Sequence, residues 1–169
     1  DPGPDVHFDR VVEAARELKS RLEACDLVPF CKTTGGKGLH VVTPLRGMAR
    51  DGIGWDEAKM FAQTICASMA EEQPDRYLIK MTKALRGGRI FLDYLRNDTK
   101  STAVAPLSPR ARPGATVSMP LTWQQVRPGL EPKRFTIWTV PKLLSRSTAW
   151  RDYNTSARSL KAAIKKLIG

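Results

Sequence analysis

The sequence predicts an α/β domain in which amphipathic helices pack against a sheet. Two stretches carry apolar residues at the 3.6-residue spacing of a helix, and short apolar, β-branched or aromatic runs lie between and after them. With 169 residues and 41% hydrophobic content, the chain is long enough for one domain with a buried core and too short to predict two. We therefore expect a single domain over residues 1–169.

The predicted elements follow the chain in order. An Asp-Pro-Gly-Pro-Asp turn comes first, and the first apolar stripe then predicts a helix from Phe8 to Cys25 or Asp26. Two strands are predicted at 27–31 and 39–42, on either side of a glycine-rich segment. The later predictions are a helix over 58–69 ended by Pro74, strands at 77–81, 89–95 and 135–140, an irregular segment at 102–123 with a helical turn after Thr122, and a closing helix over 157–167.

Positive charge is abundant and unevenly placed. The chain has 28 Lys and Arg against 17 Asp and Glu, a net charge of +11. Nine cations lie between 76 and 112 against two aspartates, and nine more lie between 133 and 169 against one. Clustered positive charge attracts polyanions, which predicts a nucleic acid or nucleotide as partner. A basic surface that serves only solubility is the alternative, and the clustering disfavours it.

Several classes of protein are disfavoured by composition. No apolar run approaches the ~20 residues of a membrane span, and the N-terminal segment lacks the pattern of a signal peptide. We therefore expect a cytoplasmic protein with no membrane partner. The three cysteines, Cys25, Cys31 and Cys66, lack metal-type spacing and sit among apolar neighbours, which predicts buried, reduced thiols.

The glycine-rich segment within 31–44 is the first candidate for chemistry. Three glycines surround Lys37, so the backbone can turn tightly and present N–H groups to an anion such as a phosphate. A P-loop is excluded, because that motif needs four residues between its first glycine and the Gly-Lys pair, and then Ser or Thr and a helix. Here Gly38 and a strand follow Lys37. An ordinary tight turn with a solvated lysine is the alternative.

Asp93 is the second candidate. The two-residue period of a strand places it on one face with Phe91 and Leu95, among apolar side chains. A carboxylate there must be neutralised, paired or bound to metal, because an isolated buried charge is costly. Two interpretations stay open: an ion pair with an arginine, or a ligand for Mg²⁺ or Mn²⁺. Asp1 is another candidate ligand, with a flexible tail as its alternative.

Five sequence blocks point to a known family. They are Asp-Pro-Gly-Pro at the start, Lys-Thr-Thr-Gly-Gly-Lys-Gly-Leu-His at 32–40, Met-Thr-Lys-Ala-Leu-Arg at 81–86, Phe-Leu-Asp-Tyr-Leu-Arg-Asn at 91–97 and Ala-Pro-Leu-Ser-Pro-Arg-Ala-Arg-Pro-Gly at 105–114. In this order they resemble the polymerase domain of bacterial DNA ligase D, in the archaeo-eukaryotic primase superfamily. The resemblance implies a primase-polymerase fold, with an RRM-like, mostly antiparallel sheet flanked by helices.

The resemblance also implies a function. It suggests a metal-dependent nucleotidyltransferase that adds NTPs or dNTPs to primer 3′-hydroxyls in non-homologous end joining, using Mn²⁺ or Mg²⁺ in a two-metal site. The implied partners are gapped or overhanging DNA ends, a fused or partner ligase domain, and an end-binding repair protein. The implied location is the bacterial cytoplasm, at the nucleoid.

Seven residues match functional positions of that family. Asp1 and Asp93 match metal-binding, catalytic carboxylates. Residues implied to hold the phosphates of the nucleotide are Thr34, Lys37, His40, Arg86 and Arg110. Taken alone, His40 would instead be expected to be a core histidine on an apolar strand.

The chain also departs from the family pattern, which has a further metal-binding Asp two positions before Asp1. We therefore expect the chain to be the C-terminal portion of the domain, with the N-terminal part missing. A catalytically incomplete, basic nucleic-acid-binding fragment is the alternative function. A primase of replication or of a plasmid is a weaker one.

Overall fold

The computed structural model describes residues 1–47 and 49–169, and it confirms the mixed α/β architecture. The helices and strands, in chain order, are α1 (Phe8–Ala24), β1 (Phe30–Thr33), β2 (Leu39–Val42), β3 (Leu45–Arg46), α2 (Trp55–Glu72), β4 (Tyr77–Leu78), β5 (Ile90–Phe91), β6 (Pro120–Leu121), α3 (Val140–Leu144), β7 (Arg158–Ser159) and α4 (Leu160–Ile168). None of the helices in these two ranges is long and apolar enough to span a membrane.

The central sheet is antiparallel, in the order β2-β1-β6. Lys32 of β1 lies opposite His40 of β2 on one side and opposite Pro120 of β6 on the other. Two further pairs, β4 with β5 and β3 with β7, are parallel. The predicted antiparallel sheet is therefore present, next to two short parallel pairs.

The first three residues act as an additional strand beside β5. The backbone N–H of Phe91 donates to the carbonyl of Asp1 at 2.9 Å, and the N–H of Gly3 donates to Arg89 at 2.9 Å. Pro2 lies opposite Ile90 in an antiparallel bridge. Asp1 is thus held directly across from Phe91, rather than in a flexible tail.

Helix α1 joins the two halves of the core. Its Val11 and Ala14 pack in a cluster with α2, β4 and β5, whereas Val12 and Ala15 pack in a second cluster with β1 and β6. Residues one position apart on a helix point about 100° apart, so one helix can serve both clusters. This helix holds the hairpin sheet and the β4–β5 pair against each other.

The three cysteines are free and buried, as predicted. Cys31 lies in the cluster around β1, and Cys25 and Cys66 lie in the other. Burial raises the pKa of the Cys31 and Cys66 thiols to about 12. These thiols are therefore protonated near neutral pH and serve as small apolar side chains.

Both long helices agree with the prediction, because their apolar stripes face the two clusters. The predicted first strand, at 27–31, is displaced and runs over Phe30–Thr33. The run at 89–95 is paired as a strand only over Ile90–Phe91. One backbone bond, from Leu92 N–H to Leu78 at 2.9 Å, continues that pairing before the chain turns.

The predicted strand at 135–140 is wrong. Phe135 is buried, but Thr136 makes only an isolated bridge to Thr116, and α3 begins at Val140. The Thr139 hydroxyl accepts the Thr136 N–H at 3.0 Å and donates to the Arg134 carbonyl at 2.6 Å, which closes the segment into a turn. The apolar, β-branched composition therefore predicted a strand, but its pairing with the segment at 115–117 is limited to this one bridge.

Two other boundaries differ from the prediction. The segment at 102–123 is mostly irregular, but it ends in β6, which pairs with β1 through Pro120 and Leu121. Proline suits this strand because it lies at the edge of the sheet. The closing helix begins later than predicted, at Leu160, with Ser159 as its N-cap.

Candidate active site

The glycine-rich segment forms the loop between β1 and β2. Thr33 pairs with Leu39 across its base. The Thr34 hydroxyl accepts the N–H of Gly36 at 3.1 Å and of Gly38 at 3.3 Å, and lies 3.1 Å from the Gly38 carbonyl, to which it donates. The expectation of bare N–H groups is therefore wrong for these two positions, and Thr34 holds the loop in shape.

Arg110 and Arg112 lie directly on this loop. A Cβ added to Gly35 would be 2.6 Å from Arg110 Cγ, and one added to Gly36 would be 3.1 Å from Arg112 Nη1. Arg110 also donates to the Thr34 carbonyl at 3.0 Å. The glycines are needed here for the close approach of two arginines, and Gly35 also for its φ of +64°.

Buried hydroxyls fasten the arginine-bearing segment to β1. Thr116 donates to the Gly35 carbonyl at 2.6 Å, Ser118 to the Thr33 carbonyl at 2.7 Å, and Thr33 to the Val117 carbonyl at 3.0 Å. Hydrogen bonds of this kind satisfy buried polar groups and fix the spacing of two chain segments. Arg110 is therefore held against the hairpin by a segment whose position is well determined.

Lys32 is a cation on this face that was not among the site residues predicted from the sequence. It is 3% exposed, and its Nζ donates to the Val104 carbonyl at 2.7 Å and the Ser118 hydroxyl at 2.9 Å, both neutral groups. Burial lowers its pKa to about 8, and the nearby Arg110 charge acts in the same direction. The strand period could have found it, since Lys32 shares a face with Thr34 and lies across from His40.

His40 lies next along the same face, on β2. It is half-buried, and burial lowers its pKa to about 4, with the positive charge of Lys32 as the next cause. Asp93 acts in the opposite direction, so His40 lies within the electrostatic reach of both residues. The imidazole is therefore neutral near pH 7, with one nitrogen able to donate and the other to accept.

The carboxylates form the other end of the face. Asp1 pairs with Arg86 at 2.7 Å, and Arg86 also donates to the Met81 carbonyl at 2.8 Å and lies 4.3 Å above the Phe91 ring. Asp93 pairs with Arg96 at 2.7 Å and is 22% exposed. The ion-pair interpretation of Asp93 is thus correct for this state, and its carboxylate is less buried than the strand pattern predicted.

The hairpin and the carboxylates meet at Gly38. A Cβ added there would be 3.7 Å from Asp1 Cα and 3.7 Å from Pro2 Cδ. Lys37, the neighbour of Gly38, is exposed at the tip. Thr34, Lys37, His40 and Arg110 therefore gather on the hairpin, while Arg86 lies with Asp1 and Asp93 rather than beside Arg110.

Asp1 and Asp93 are suitable ligands for a hard cation that is also coordinated by phosphate groups. Asp1 lies opposite Phe91. Burial lowers the pKa of the Asp1 amino group to about 6 and Asp93 acts in the opposite direction, so Asp93 lies within electrostatic reach of Asp1. Within residues 1–47 and 49–169, no group of three or more His, Cys, Asp or Glu could hold a metal. Mg²⁺ is commonly bound by one or two carboxylates with phosphates and water. The donors present thus suit one such cation.

An α/β fold that carries two carboxylates beside a cationic glycine hairpin suits a phosphate-binding domain. Comparison with known proteins identifies which one: the chain belongs to the LigD primase-polymerase domain family, whose model matches residues 1–150. This family is metal-dependent.

The relatives are repair proteins from several bacteria. The multifunctional non-homologous end joining protein LigD of Pseudomonas aeruginosa is 33% identical over 172 residues, which cover 100% of this chain and 20% of that protein. The protein of the same name from Mycolicibacterium smegmatis is 34% identical over 136 residues, 80% of this chain and 17% of the relative. The chain thus spans about a fifth of the length of these relatives.

A solved structure also resembles the chain. It is the polymerase domain from Mycobacterium tuberculosis ligase D in complex with DNA, with a TM-score of 0.82 and 30% identity. The match covers 93% of this chain and 53% of the solved chain. The resemblance in fold therefore extends over nearly all of the described elements.

Proposed function

We propose that this chain provides the nucleotidyl-transfer site of an end-joining polymerase, which adds NTPs or dNTPs to primer 3′-hydroxyls. The observation that carries the proposal is the charge order along one face. Asp1 and Asp93 lie at one end, neutral His40 lies between, and Lys32 and Arg110 lie at the other end. A metal-bound triphosphate has the complementary order, with its cation at one end and its free anionic oxygens at the other.

The hairpin residues have distinct tasks in this proposal. Lys37 and Arg110 neutralise charge on the triphosphate, and Arg110 is oriented for this by the Thr34 carbonyl. Thr34 acts mainly by shaping the loop, since its hydroxyl already binds two loop N–H groups. His40 remains neutral, so it contributes a hydrogen bond rather than a charge.

At the acidic end, Asp1 and Asp93 would hold Mn²⁺ or Mg²⁺. A cation held there would supply positive charge to offset the negative charge that develops on the phosphate oxygens during nucleotidyl transfer. Arg86 and Arg96 now neutralise these carboxylates. In the proposal both arginines give up their carboxylate partners when cations bind, and Arg86 becomes available to the triphosphate or the DNA.

The proposed partners are DNA ends with a gap or an overhang. The net charge of +11 supports a polyanionic partner, and the solved relative is in complex with DNA. The family resemblance suggests further partners, a fused or separate ligase domain and an end-binding repair protein, and the named relative is a non-homologous end joining protein. We place the protein in the bacterial cytoplasm, at the nucleoid. The single domain over residues 1–169 remains a prediction.

A second candidate function rests on the number of metal ligands. Two carboxylates are fewer than the three that the family resemblance implies, and no third joins them within the described residues. A catalytically incomplete module that binds DNA through its basic surface is therefore the alternative. It predicts salt-sensitive DNA binding without nucleotide incorporation at saturating metal.

Primer extension separates the two functions. We expect the chain to extend a recessed primer with NTP and Mn²⁺, and Asp93→Asn to lower the rate at least about 100-fold, because a metal ligand is lost. The matched control is Asp98→Asn, which removes a nearby carboxylate that pairs with Lys59 at 2.8 Å. Normal extension by Asp93→Asn would refute the metal assignment, and DNA binding without extension by the unchanged chain would favour the alternative.

A further inference from the structure

Among residues 1–47 and 49–169, Trp138 is the most exposed large apolar side chain, with 83% of its surface accessible. Ile137, which precedes it in the chain, and Leu144 of α3 are each 41% exposed. Two other tryptophans are held by the fold, since the Nε1–H of Trp123 donates to the Pro29 carbonyl and that of Trp150 donates to the Cys31 carbonyl. Packing therefore does not explain the indole at 138.

The chain segment that carries Trp138 is strongly cationic. Between 132 and 151 the chain has five cations and no Asp or Glu. All five are exposed, and none pairs with a carboxylate in the described ranges. They are Lys133, Arg134, Lys142, Arg146 and Arg151. An aromatic face within such a surface offers stacking and phosphate neutralisation together.

Backbone contacts connect this surface to the candidate active site. Gly35 accepts the Thr116 hydroxyl, and Thr116 in turn lies opposite Thr136. Ile137 N–H donates to the Ala115 carbonyl at 3.1 Å, which continues the contact up to Trp138. Thr136 is thus two interstrand distances, roughly 10 Å, from Gly35. Trp138 lies at most about 7 Å further along the chain.

We propose that Trp138 and the surrounding cations form a binding site for single-stranded nucleic acid, in which an unpaired base stacks on the indole. The exposed tryptophan, the unpaired cations and the continuity with the glycine hairpin favour this occupant. Base–aromatic stacking is tolerant of sequence and adds to the electrostatic attraction of phosphates. A membrane surface is disfavoured, because α3 has only five residues and is too short to present a long apolar face to lipid.

The inference builds on the proposed function, since the strand bound here would be an overhang of the DNA end that the active site extends. The two can fail separately. Binding of a short oligothymidylate is measured without nucleotide and without metal, so it does not depend on catalysis. Loss of primer extension with intact oligonucleotide binding would count against the polymerase alone.

Fluorescence anisotropy at low salt tests the site. We expect Trp138→Ala to weaken oligothymidylate binding about 5- to 100-fold, and Trp138→Phe to retain most of the affinity, because a phenyl ring can still stack. Trp55→Ala is the matched control, since Trp55 is 54% exposed but followed by Asp56 and Glu57. Its affinity should equal that of the unchanged chain.

Tryptophan fluorescence gives a second readout. Oligothymidylate should quench the emission of the unchanged chain and of Trp55→Phe, and this quenching should largely disappear in Trp138→Phe. Unchanged affinity in Trp138→Ala would overturn the proposal. Binding to vesicles that contain phosphatidylserine is measured in parallel. If Trp138→Ala weakens vesicle binding but not oligothymidylate binding, the proposal is also overturned, because that result would identify a membrane surface.

Discussion

The two ends of the site face handle charge in opposite ways. At the acidic end, each carboxylate has an arginine 2.7 Å away. At the basic end, Lys32 is buried against a carbonyl and a hydroxyl, and Arg110 donates to a carbonyl. Neutral acceptors do not cancel a charge, so positive potential remains at the basic end.

The difference indicates which end changes when ligand binds. The carboxylates of the acidic end already have arginine partners, so we expect a cation to compete with those arginines. The basic end is paired only with neutral groups, so an anion can add to it without breaking an ion pair. We therefore expect the triphosphate to dock on the hairpin with little rearrangement, and the carboxylates to reorganise when metal binds.

The largest expected effect concerns the buried charge of Lys32. Its folded pKa of about 8 lies below the ordinary 10.5, so between these values the unfolded chain holds a proton that the folded chain lacks. Stability from this group therefore rises with pH across that window, by about 3 kcal/mol in total. Urea unfolding of the unchanged chain and of Lys32→Met from pH 7 to 11 checks this.

The comparison of the two proteins cancels the cysteine and tyrosine titrations that they share. The stability of the unchanged chain relative to Lys32→Met should be constant below about pH 8 and increase above it. A difference that stays flat over the whole range would show that Lys32 is not a buried cation, and the contrast between the two ends would be lost.

The two arginines of the acidic end should differ in importance. The Arg86 side chain is 10% exposed and contacts Phe91, whereas the Arg96 side chain is 55% exposed. We expect Arg86→Gln to lower the free energy of unfolding by about 2 kcal/mol, through the lost pair and the lost ring contact. Arg96→Gln should cost less than about 1 kcal/mol, as exposed pairs do.

Chemical denaturation of both variants at neutral pH measures this difference. If both variants lose the same free energy of unfolding, burial of Arg86 does not strengthen its pair with Asp1 relative to the exposed Arg96–Asp93 pair. The matched substitution makes the test specific, because each variant removes one guanidinium beside one carboxylate.

The smallest expected effect compares two glycines. Gly35 and Gly88 have φ values of +64° and +66°, so the backbone strain of an alanine should cost about 1 kcal/mol of stability at either position. Only at Gly35 would the new methyl group meet Arg110, since nothing lies within 4 Å of a Cβ at Gly88. Gly35→Ala should therefore also weaken ATP binding several-fold, with Gly88→Ala unchanged in affinity.

Isothermal titration with ATP in the absence of DNA distinguishes the two variants. If both bind ATP equally well, the position of Arg110 on the hairpin does not matter for the triphosphate. That outcome would remove Arg110 from the proposed site and leave Lys37 and Lys32 as its cations.

Local patterns in the sequence predicted much of the fold. The apolar stripes of α1 and α2 and the strand at β2 depend on residues within a few positions of each other, and these three elements lie where they were expected. The run at 135–140 also has strand composition, but its pairing with the segment at 115–117 stops after one bridge, and the chain continues as a turn and a helix.

In the site, too, some features follow from the local sequence and others from tertiary contacts. The sequence by itself determined the candidates, which are a glycine hairpin with a lysine, two aspartates and scattered arginines, along with a surplus of positive charge. Only the tertiary structure decided that Asp1 pairs with Arg86, and that Lys32 is buried against Val104. These contacts join residues 85 and 72 positions apart. Their partners are set by how the sheet and α1 pack, which no local spacing encodes.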